Sequence, residues 1–408
     1  MQEMKLKFEP QLDAWASLLN PGVGSIQNRS LLEWQVKLKA ELGIENERPV
    51  IVVGHQPTMF HPGVLSKFIA GSLLARKVDG LLIHLVVDHH MGECGIIEKP
   101  KMVGRHIEIE LSNIANLDNT ISMRNHPRAT ICGNGLIASA LRQAGGQNAA
   151  MQFAKATQIL MEPYVDIDCT ISSKELLCSS FGKHIEQLMS FETERCIKSY
   201  NNAIDQYPDC CIEKLRPNEL PLWFGSRNSR MPRGLGNSSP RALLLTLLAR
   251  LGVADLFIHG LGGAKYDLAM ESWVRNWLNV SPCASAMISA DICLPFNYQL
   301  LEEARRNYFS PNCSDNTKEE LLCAINEAPR YSKVKSKAFN NLHQWLAVQN
   351  KKPSVRQFKQ SRQVALKRDW PFPLYKKEQL DLLFYAISNQ LSTIDSEAPK
   401  SLLVAPVN

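Results

Sequence analysis

The chain has 408 residues, of which 45% are hydrophobic and 21% are charged, and its net charge is +6. This length exceeds one ordinary hydrophobic core and predicts two or three globular domains. The mild positive charge fits a small anionic ligand or a nucleic acid about equally well. No apolar run reaches the roughly 18 residues of a membrane span, and we therefore expect no membrane partner.

The eleven cysteines contain no CxxC pair. Zinc ribbons and redox dithiol sites are therefore not expected. An odd cysteine count without a secretory signal segment fits the reduced thiols of a cytoplasmic protein.

The first part of the chain predicts a helical cap followed by a strand–helix–strand unit. Residues 1–48 form the predicted cap, because Ser30-Leu31-Leu32-Glu33 matches a capping box and predicts a helix that reaches Leu42. A strand at Val50–Val53 then ends at Gly54-His55-Gln56-Pro57. A helix opened by Pro62-Gly63 follows, and a second strand, Leu81–Val87, ends in Asp88-His89-His90.

The rest of the chain continues the α/β pattern and then becomes helical. A further strand is predicted at His106–Leu111, and residues 133–215 are predicted to be a helical insertion. Strands at Leu220–Gly225 and Asp255–His259 follow, separated by a helix, and a loop at Gly260–Asp267 precedes a helix at Leu268–Leu278. The predicted fold is α/β. It has a Rossmann-like parallel sheet in a core at 49–295 and a coiled-coil-like helical arm at 296–408.

Polar side chains follow the first strand and begin the next helix. His55 and Gln56 come directly after the strand, and His61 precedes Pro62-Gly63. A helix N-terminus favours phosphate or carboxylate, and Gly63 would allow a ligand to approach the backbone. This arrangement resembles the histidine-containing loop of class I aminoacyl-tRNA synthetases and related nucleotidyl transferases, without the HxGH spacing.

Asp88, His89 and His90 follow the second strand and have two interpretations. They are candidates for general acid/base catalysis and also for metal ligands. The tripeptide matches the signature of DHH phosphoesterases. In those enzymes an Asp-rich motif follows the first strand, where this chain has GHQP.

The third group of candidates lies after the last predicted strand. Gly262 and Gly263 permit close backbone approach, and Lys265 and Tyr266 would present a cation and a phenol to a ligand. A separate, arginine-rich group contains Arg241, Arg227, Arg230 and Arg233, and it predicts a phosphate or carboxylate site.

Several of these residues together resemble the cysteine-adding bacillithiol synthase family. The first group is Gly54-x-Gln56, Gly63, Lys67 and Asp88-His89, and the second is Arg241 followed by Gly262-Gly263 and Tyr266. The resemblance implies a Rossmann-like ligase that joins cysteine to the amine of glucosaminyl-malate, with ATP/Mg²⁺ or ADP as cofactor and a homodimer formed by the helical arm. The chain departs from the family in its GHQP and DHH segments and in having a lysine at position 265.

The first hypothesis is therefore a ligase that couples an amino acid to a small amine-bearing acceptor, with an anionic or nucleotide ligand in the sheet crevice. His55 and His61 would stabilise phosphate or the tetrahedral intermediate, and Asp88 or His89 would act as the base. Lys265 and Arg241 would hold an anionic group. The alternatives are a metal-dependent phosphoesterase that uses the DHH segment and a non-catalytic Rossmann-like binding protein. The basic residues between Lys333 and Lys377 are interpreted as solvated helix faces, so a nucleic-acid partner is not the expected one. The alternative is nucleic-acid binding through this tail, which would show a steep salt dependence.

Overall fold

The computed structural model describes residues 4–103, 106–225, 228, 237–294, 317–350 and 353–391. The chain divides into two compact units. The sheet unit contains residues 1–97, 113–292 and 369–408, and the helical unit contains residues 98–112 and 293–368.

The strands, in chain order, are β1 (Lys5–Glu9), β2 (Ser25–Ile26), β3 (Arg29–Ser30), β4 (Val50–His55), β5 (Leu81–Val86), β6 (Ile96–Val103), β7 (His106–Asn113), β8 (Ala115–Asn116), β9 (Thr130–Ile131), β10 (Cys169–Ser172), β11 (Leu222–Phe224), β12 (Ser238–Pro240), β13 (Leu256–His259) and β14 (Ala284–Asp291). The α-helices are α1 (Leu31–Glu41), α2 (Pro62–Lys77), α3 (Leu136–Gln143), α4 (Ala149–Met161), α5 (Ser173–Cys178), α6 (Ser180–Phe191), α7 (Thr193–Gln206), α8 (Ala242–Gly252), α9 (Leu261–Leu278), α10 (Thr317–Glu327), α11 (Lys333–Asn350), α12 (Pro353–Leu366) and α13 (Lys377–Gln390).

The main sheet has six strands in the order β1-β14-β13-β4-β5-β10. The five strands from β14 to β10 are parallel, and β1 pairs antiparallel with β14 at the edge. In chain order, β5 and β10 are added on one side of β4, and β13 and β14 are then added on its other side. This reversal is the topological switch point of a Rossmann-like sheet, where ligands bind at the carboxyl ends of the strands. The predicted α/β fold is confirmed.

The two strands recognised first in the sequence form the centre of this sheet. Val50, Ile51, Val52 and Val53 are fully buried, so β4 is covered on both faces. A parallel strand that is covered on both faces requires a continuous run of apolar residues, not an alternation of apolar and polar residues. The local sequence was therefore sufficient to predict β4. The capping box at Ser30 and Glu33 also forms and begins α1.

Several predicted elements differ from the structure. The segment 1–48 is predicted to be a helical cap, but it also contributes strand β1 to the main sheet. The predicted insertion contains β10, which extends the main sheet beside β5. Neither β10 nor β14 was predicted. The predicted strands at 106–111 and 220–225 do form, as β7 and β11, but they lie in separate two-stranded sheets.

The predicted C-terminal arm also differs from the structure. In the helical unit, α12 packs against the strand residue Ile107 through Ala365, and the Ser361 hydroxyl accepts the backbone N–H of Ile107 at 3.1 Å. The chain then returns to the sheet unit at Asp369, so α13 belongs to that unit. Residues 295–316 and 392–408 of the predicted arm lie outside the described residues. Within the described ranges, no helix has both the length and the apolar character needed to cross a membrane.

Candidate functional site

A cavity of about 920 Å³ lies at the carboxyl edge of the main sheet. The ends of β4, β5 and β13 and the first turns of α2 and α9 form its walls, which places it at the switch point. Eleven of the predicted site residues line it: His55, Gln56, His61, Gly63, Lys67, His89, His90, Arg241, Gly262, Gly263 and Tyr266. Asp88 is buried directly behind this wall, and Lys265 is exposed and does not line the cavity.

The N-terminus of α2 is occupied by its own cap. The Nδ1 atom of His61 accepts the backbone N–H of Gly63 at 3.0 Å, so the proton of the neutral ring is on Nε2. Gly63 is buried, and a Cβ atom there would lie 2.8 Å from the carbonyl oxygen of Ala290. The expectation that Gly63 lets a ligand approach the backbone is therefore corrected: the missing side chain leaves room for His61 and for β14.

The basic groups of the cavity are held toward their neutral forms. Burial, together with the nearby Lys67 ammonium and neighbouring histidines, lowers the pKa of His55 well below its usual value. Burial also lowers the pKa values of His61 and His90, and it lowers that of Lys67 to about 8. The Nζ atom of Lys67 donates to the carbonyl oxygen of Gly54 at 2.8 Å. At neutral pH the imidazoles of His55, His61 and His90 are therefore neutral donors and acceptors instead of fixed cations.

Asp88 and His89 meet at a residue that the sequence did not indicate. The Ser173 hydroxyl lies at the start of α5, directly after β10, and it donates to the Asp88 carboxylate. The Nδ1 atom of His89 is 2.8 Å from the same hydroxyl oxygen. Because an ionised carboxylate only accepts, Ser173 must donate to Asp88 and accept the N–H of His89. In the neutral imidazole the Nε2 atom of His89, a residue that lines the cavity, then carries the unshared lone pair.

The predicted loop after β13 is the first turn of a helix. α9 begins at Leu261, and no side chain caps its N-terminus at Gly260. The first backbone N–H groups of an α-helix have no partner within the helix, so those of α9 are available at the cavity wall. Gly262 is exposed and a Cβ atom there would have no neighbour within 4 Å. Helix geometry turns Lys265 away from the cavity, which corrects its predicted role in ligand binding.

A second Asp–His pair lies beneath this turn. The Nε2 atom of His259, which also lines the cavity, is 3.2 Å from Oδ1 of Asp267. Burial alone would raise the pKa of the Asp267 carboxyl, but His259 and the Arg250 guanidinium 2.6 Å away hold it well below its usual value. A Cβ atom on Gly263 would lie only 2.4 Å from His259 Nδ1, so glycine is needed there to accommodate the imidazole.

Of the other predicted ligand-binding residues, Arg241 is paired with a protein partner and Tyr266 stays uncharged. The Arg241 guanidinium pairs with the buried Glu219 carboxylate and stacks over Trp223 at 4.3 Å. Its predicted role in holding an anion is corrected, because its charge is already neutralised in the wall. Burial, and next the Asp267 charge, raises the pKa of the Tyr266 phenol to about 12, so this group stays protonated. Arg227, Arg230 and Arg233 lie outside the described residues.

The DHH segment does not form a metal-binding group. Asp88 and His89 both contact Ser173. In the part of the chain that the structure describes, no group of three or more His, Cys, Asp or Glu side chains could hold a metal ion. The phosphoesterase hypothesis therefore gains no support from the predicted ligands Asp88, His89 and His90.

Comparisons with known proteins leave the activity open. No protein-family model matches the chain, and no curated protein matches it. Solved structures with distant similarity to the chain include two aminoacyl-tRNA synthetases. A tyrosyl-tRNA synthetase complexed with L-tyrosine from Archaeoglobus fulgidus is 10% identical, with a TM-score of 0.29, over 93% of this chain and 99% of that one. A Plasmodium falciparum tryptophanyl-tRNA synthetase is 10% identical, with a TM-score of 0.25, over 78% of this chain and 82% of that one. At these scores neither structure indicates a ligand or a reaction, and neither supports the resemblance to bacillithiol synthase.

Proposed function

We propose that this protein is a bacillithiol-synthase-like ligase that joins the carboxyl group of an amino acid to a small amine-bearing acceptor in the switch-point cavity. The observation that carries the proposal is the convergence of two features on one cavity. One is an uncapped helix start that can hold an anion, and the other is a histidine oriented as a base. Amide formation needs both, because the carboxyl must carry an anionic leaving group and the amine must lose a proton.

The anion-binding part of the proposal rests on α9. Its first-turn N–H groups point to the carboxyl edge of the sheet, where the partial positive charge of the helix favours phosphate or carboxylate. The Nε2–H group of neutral His61, which also lines the cavity, adds a further donor. ATP with Mg²⁺ would supply the phosphate-bearing group that activates the amino acid's carboxyl, with pyrophosphate or ADP released, and these donors are suited to the phosphate oxygens of ATP.

The base in this proposal is His89. Asp88 and Ser173 orient its imidazole so that the free Nε2 lone pair can accept a proton from the acceptor amine. The amine nitrogen then forms a bond to the carboxyl carbon, and the bond from that carbon to the phosphate-bearing leaving group breaks. Asp88 and Ser173 are positioning residues in this scheme, since they act through His89. Cysteine and the amine of glucosaminyl-malate are the first substrates to test, because the sequence resemblance implies them.

The test compares two variants of the exposed Gly262, which differ only in charge. We expect ATP/Mg²⁺ to raise the thermal stability of the wild-type protein, by roughly 2.7 kcal/mol at a hundred times its dissociation constant. Gly262→Asp should abolish this shift by placing a carboxylate at the anion site, whereas Gly262→Asn should retain it. If ATP and ADP give no shift, or if both variants behave alike, the anion site is not at α9.

The reaction itself is tested by mass spectrometry of the amide product. Wild-type protein with ATP/Mg²⁺, cysteine and glucosaminyl-malate should form the product. His89→Gln should lower the rate by about a hundredfold or more, the range of a general base, while nucleotide binding is unchanged. Ser173→Ala should lower the rate less and should shift its pH profile, because it removes the hydroxyl that links the His89 imidazole to the Asp88 carboxylate. Equal rates for wild type and His89→Gln would reject His89 as the base.

A further inference from the structure

The helical unit contains an extreme concentration of positive charge. Residues 328–368 include eleven lysines and arginines and no aspartate or glutamate, although the net charge of the whole chain is only +6. The remainder of the chain is therefore net acidic. A segment with this charge attracts a polyanion over distances comparable to the Debye length, about 8–10 Å at physiological salt.

One part of this charge forms a stripe on α12. Arg356, Lys359 and Arg362 are exposed and follow one another at intervals of three residues, which is about 4.5 Å along a helix axis. Phe358, Ser361 and Ala365 are buried on the other side of the helix. Ser361 and Ala365 contact Ile107 of the same unit. The stripe is thus held in a fixed orientation by a packed face.

A second part surrounds the turn between α10 and α11. A groove of about 560 Å³ there is lined by Arg330, Tyr331, Ser332, Lys335, Ser336 and Phe339. Tyr331 is fully exposed and Phe339 is 43% exposed. Aromatic rings between basic side chains can stack on unpaired bases while the cations contact phosphates.

We propose that the helical unit binds nucleic acid, through its phosphate backbone on the α12 stripe and through base stacking in the Tyr331 groove. Nucleic acid is favoured over a membrane surface because the exposed rings of Tyr331 and Phe339 lie beside basic side chains, an arrangement suited to base stacking. On α12, Phe358 and Ala365 are turned into the unit, and Leu366, at 39% exposed, is the large apolar side chain described near the stripe. The site is separate from the switch-point cavity and does not depend on the reaction proposed for it.

The experiment measures binding of fluorescent single-stranded RNA and DNA, about 20 nucleotides long, to the full chain by anisotropy between 50 and 200 mM salt. We expect affinity to fall steeply with salt. The variant Arg356→Gln/Lys359→Gln/Arg362→Gln should weaken binding about tenfold or more. It should also reduce the magnitude of the slope of log affinity against log salt by about 2, because each of the three lost phosphate contacts contributes roughly 0.7.

A control variant removes the same charge from the sheet unit. Lys174→Gln/Lys183→Gln/Lys198→Gln changes exposed lysines that do not line the cavity, and it should bind RNA like the wild type. Circular dichroism melting checks that both triple variants are folded. Three results would each overturn the proposal. They are equal losses of binding in both triple variants, binding that does not depend on salt, and a stripe that is required for binding phosphatidylserine vesicles but not RNA or DNA.

Discussion

Lys67 shows how the cavity controls charge at the scale of one residue. The residue is 5% exposed, and a described hydrogen bond joins its Nζ atom to the Gly54 carbonyl oxygen. Such a site disfavours the charged form, which explains a pKa of about 8. A proton bound to Lys67 is therefore held less tightly in the folded protein than in the unfolded chain, where lysine titrates near 10.4.

This difference makes stability depend on pH in a predictable direction. Between about pH 8 and 10.4 the unfolded state binds more protons at this position, so the free energy of unfolding contributed by Lys67 rises with pH. We expect the stability of wild type relative to Lys67→Met to rise by on the order of 2 kcal/mol between pH 7.5 and 9.5. Denaturant unfolding of both proteins at the two pH values measures it. A difference that is independent of pH would show that Lys67 has an ordinary pKa.

At the scale of elements, α2 and α9 begin at the same edge of the sheet but differ in access. The first turn of α2 is filled by the His61 side chain and by β14, whereas the first turn of α9 is open at Gly262. Both helices have the glycine-containing start that favours a ligand site in the sequence. Only the packing of their neighbours decides which one can receive a ligand.

A matched pair of alanine substitutions separates the two cases. Gly63→Ala places a methyl group within 2.8 Å of the Ala290 carbonyl oxygen and should destabilise the protein by about 1–3 kcal/mol through overpacking. Gly262→Ala meets no neighbour and should change stability by less than about 0.5 kcal/mol. Thermal unfolding of the two variants without ligand tests this. Similar stabilities would mean that α2 and β14 are not tightly packed at this position.

At the scale of the whole molecule, the chain leaves the sheet unit and returns to it at Asp369. Trp370 and Leu383 are fully buried, and the Tyr375 hydroxyl donates to the carbonyl oxygen of Ile292 at 3.0 Å. Tyr164 likewise donates to Asp381 at 2.8 Å. The last described helix therefore contributes to the core of the sheet unit and is not a continuation of the helical arm.

Two adjacent leucines on α13 test this assignment. Leu383→Ala should lower the free energy of unfolding by about 2–5 kcal/mol, because it leaves a cavity in the core. Leu382, which is 61% exposed, should tolerate alanine with a change of less than about 0.5 kcal/mol. Denaturant unfolding followed by fluorescence provides the measurement. Equal effects of the two substitutions would place α13 outside the core.

The sequence by itself determined the features that depend on neighbouring residues along the chain. The capping box of α1, the apolar strands β4, β5 and β13, and the polar residues at their carboxyl ends could all be predicted, because each is a local pattern. Parallel strands bring those ends to one edge, so His55, His61, His89 and Gly262 could be expected at one site.

Only the tertiary structure decided which of these groups can act on a ligand. Ser173 reaches Asp88 and His89 across 85 and 84 positions of sequence because β10 pairs with β5, and no local signal marks that pairing. The commitment of Arg241 to Glu219, the burial of Gly63 and the outward direction of Lys265 also depend on packing. Side-chain orientation and desolvation come from contacts between distant segments, and these contacts, not the residue types alone, set the chemistry of the cavity.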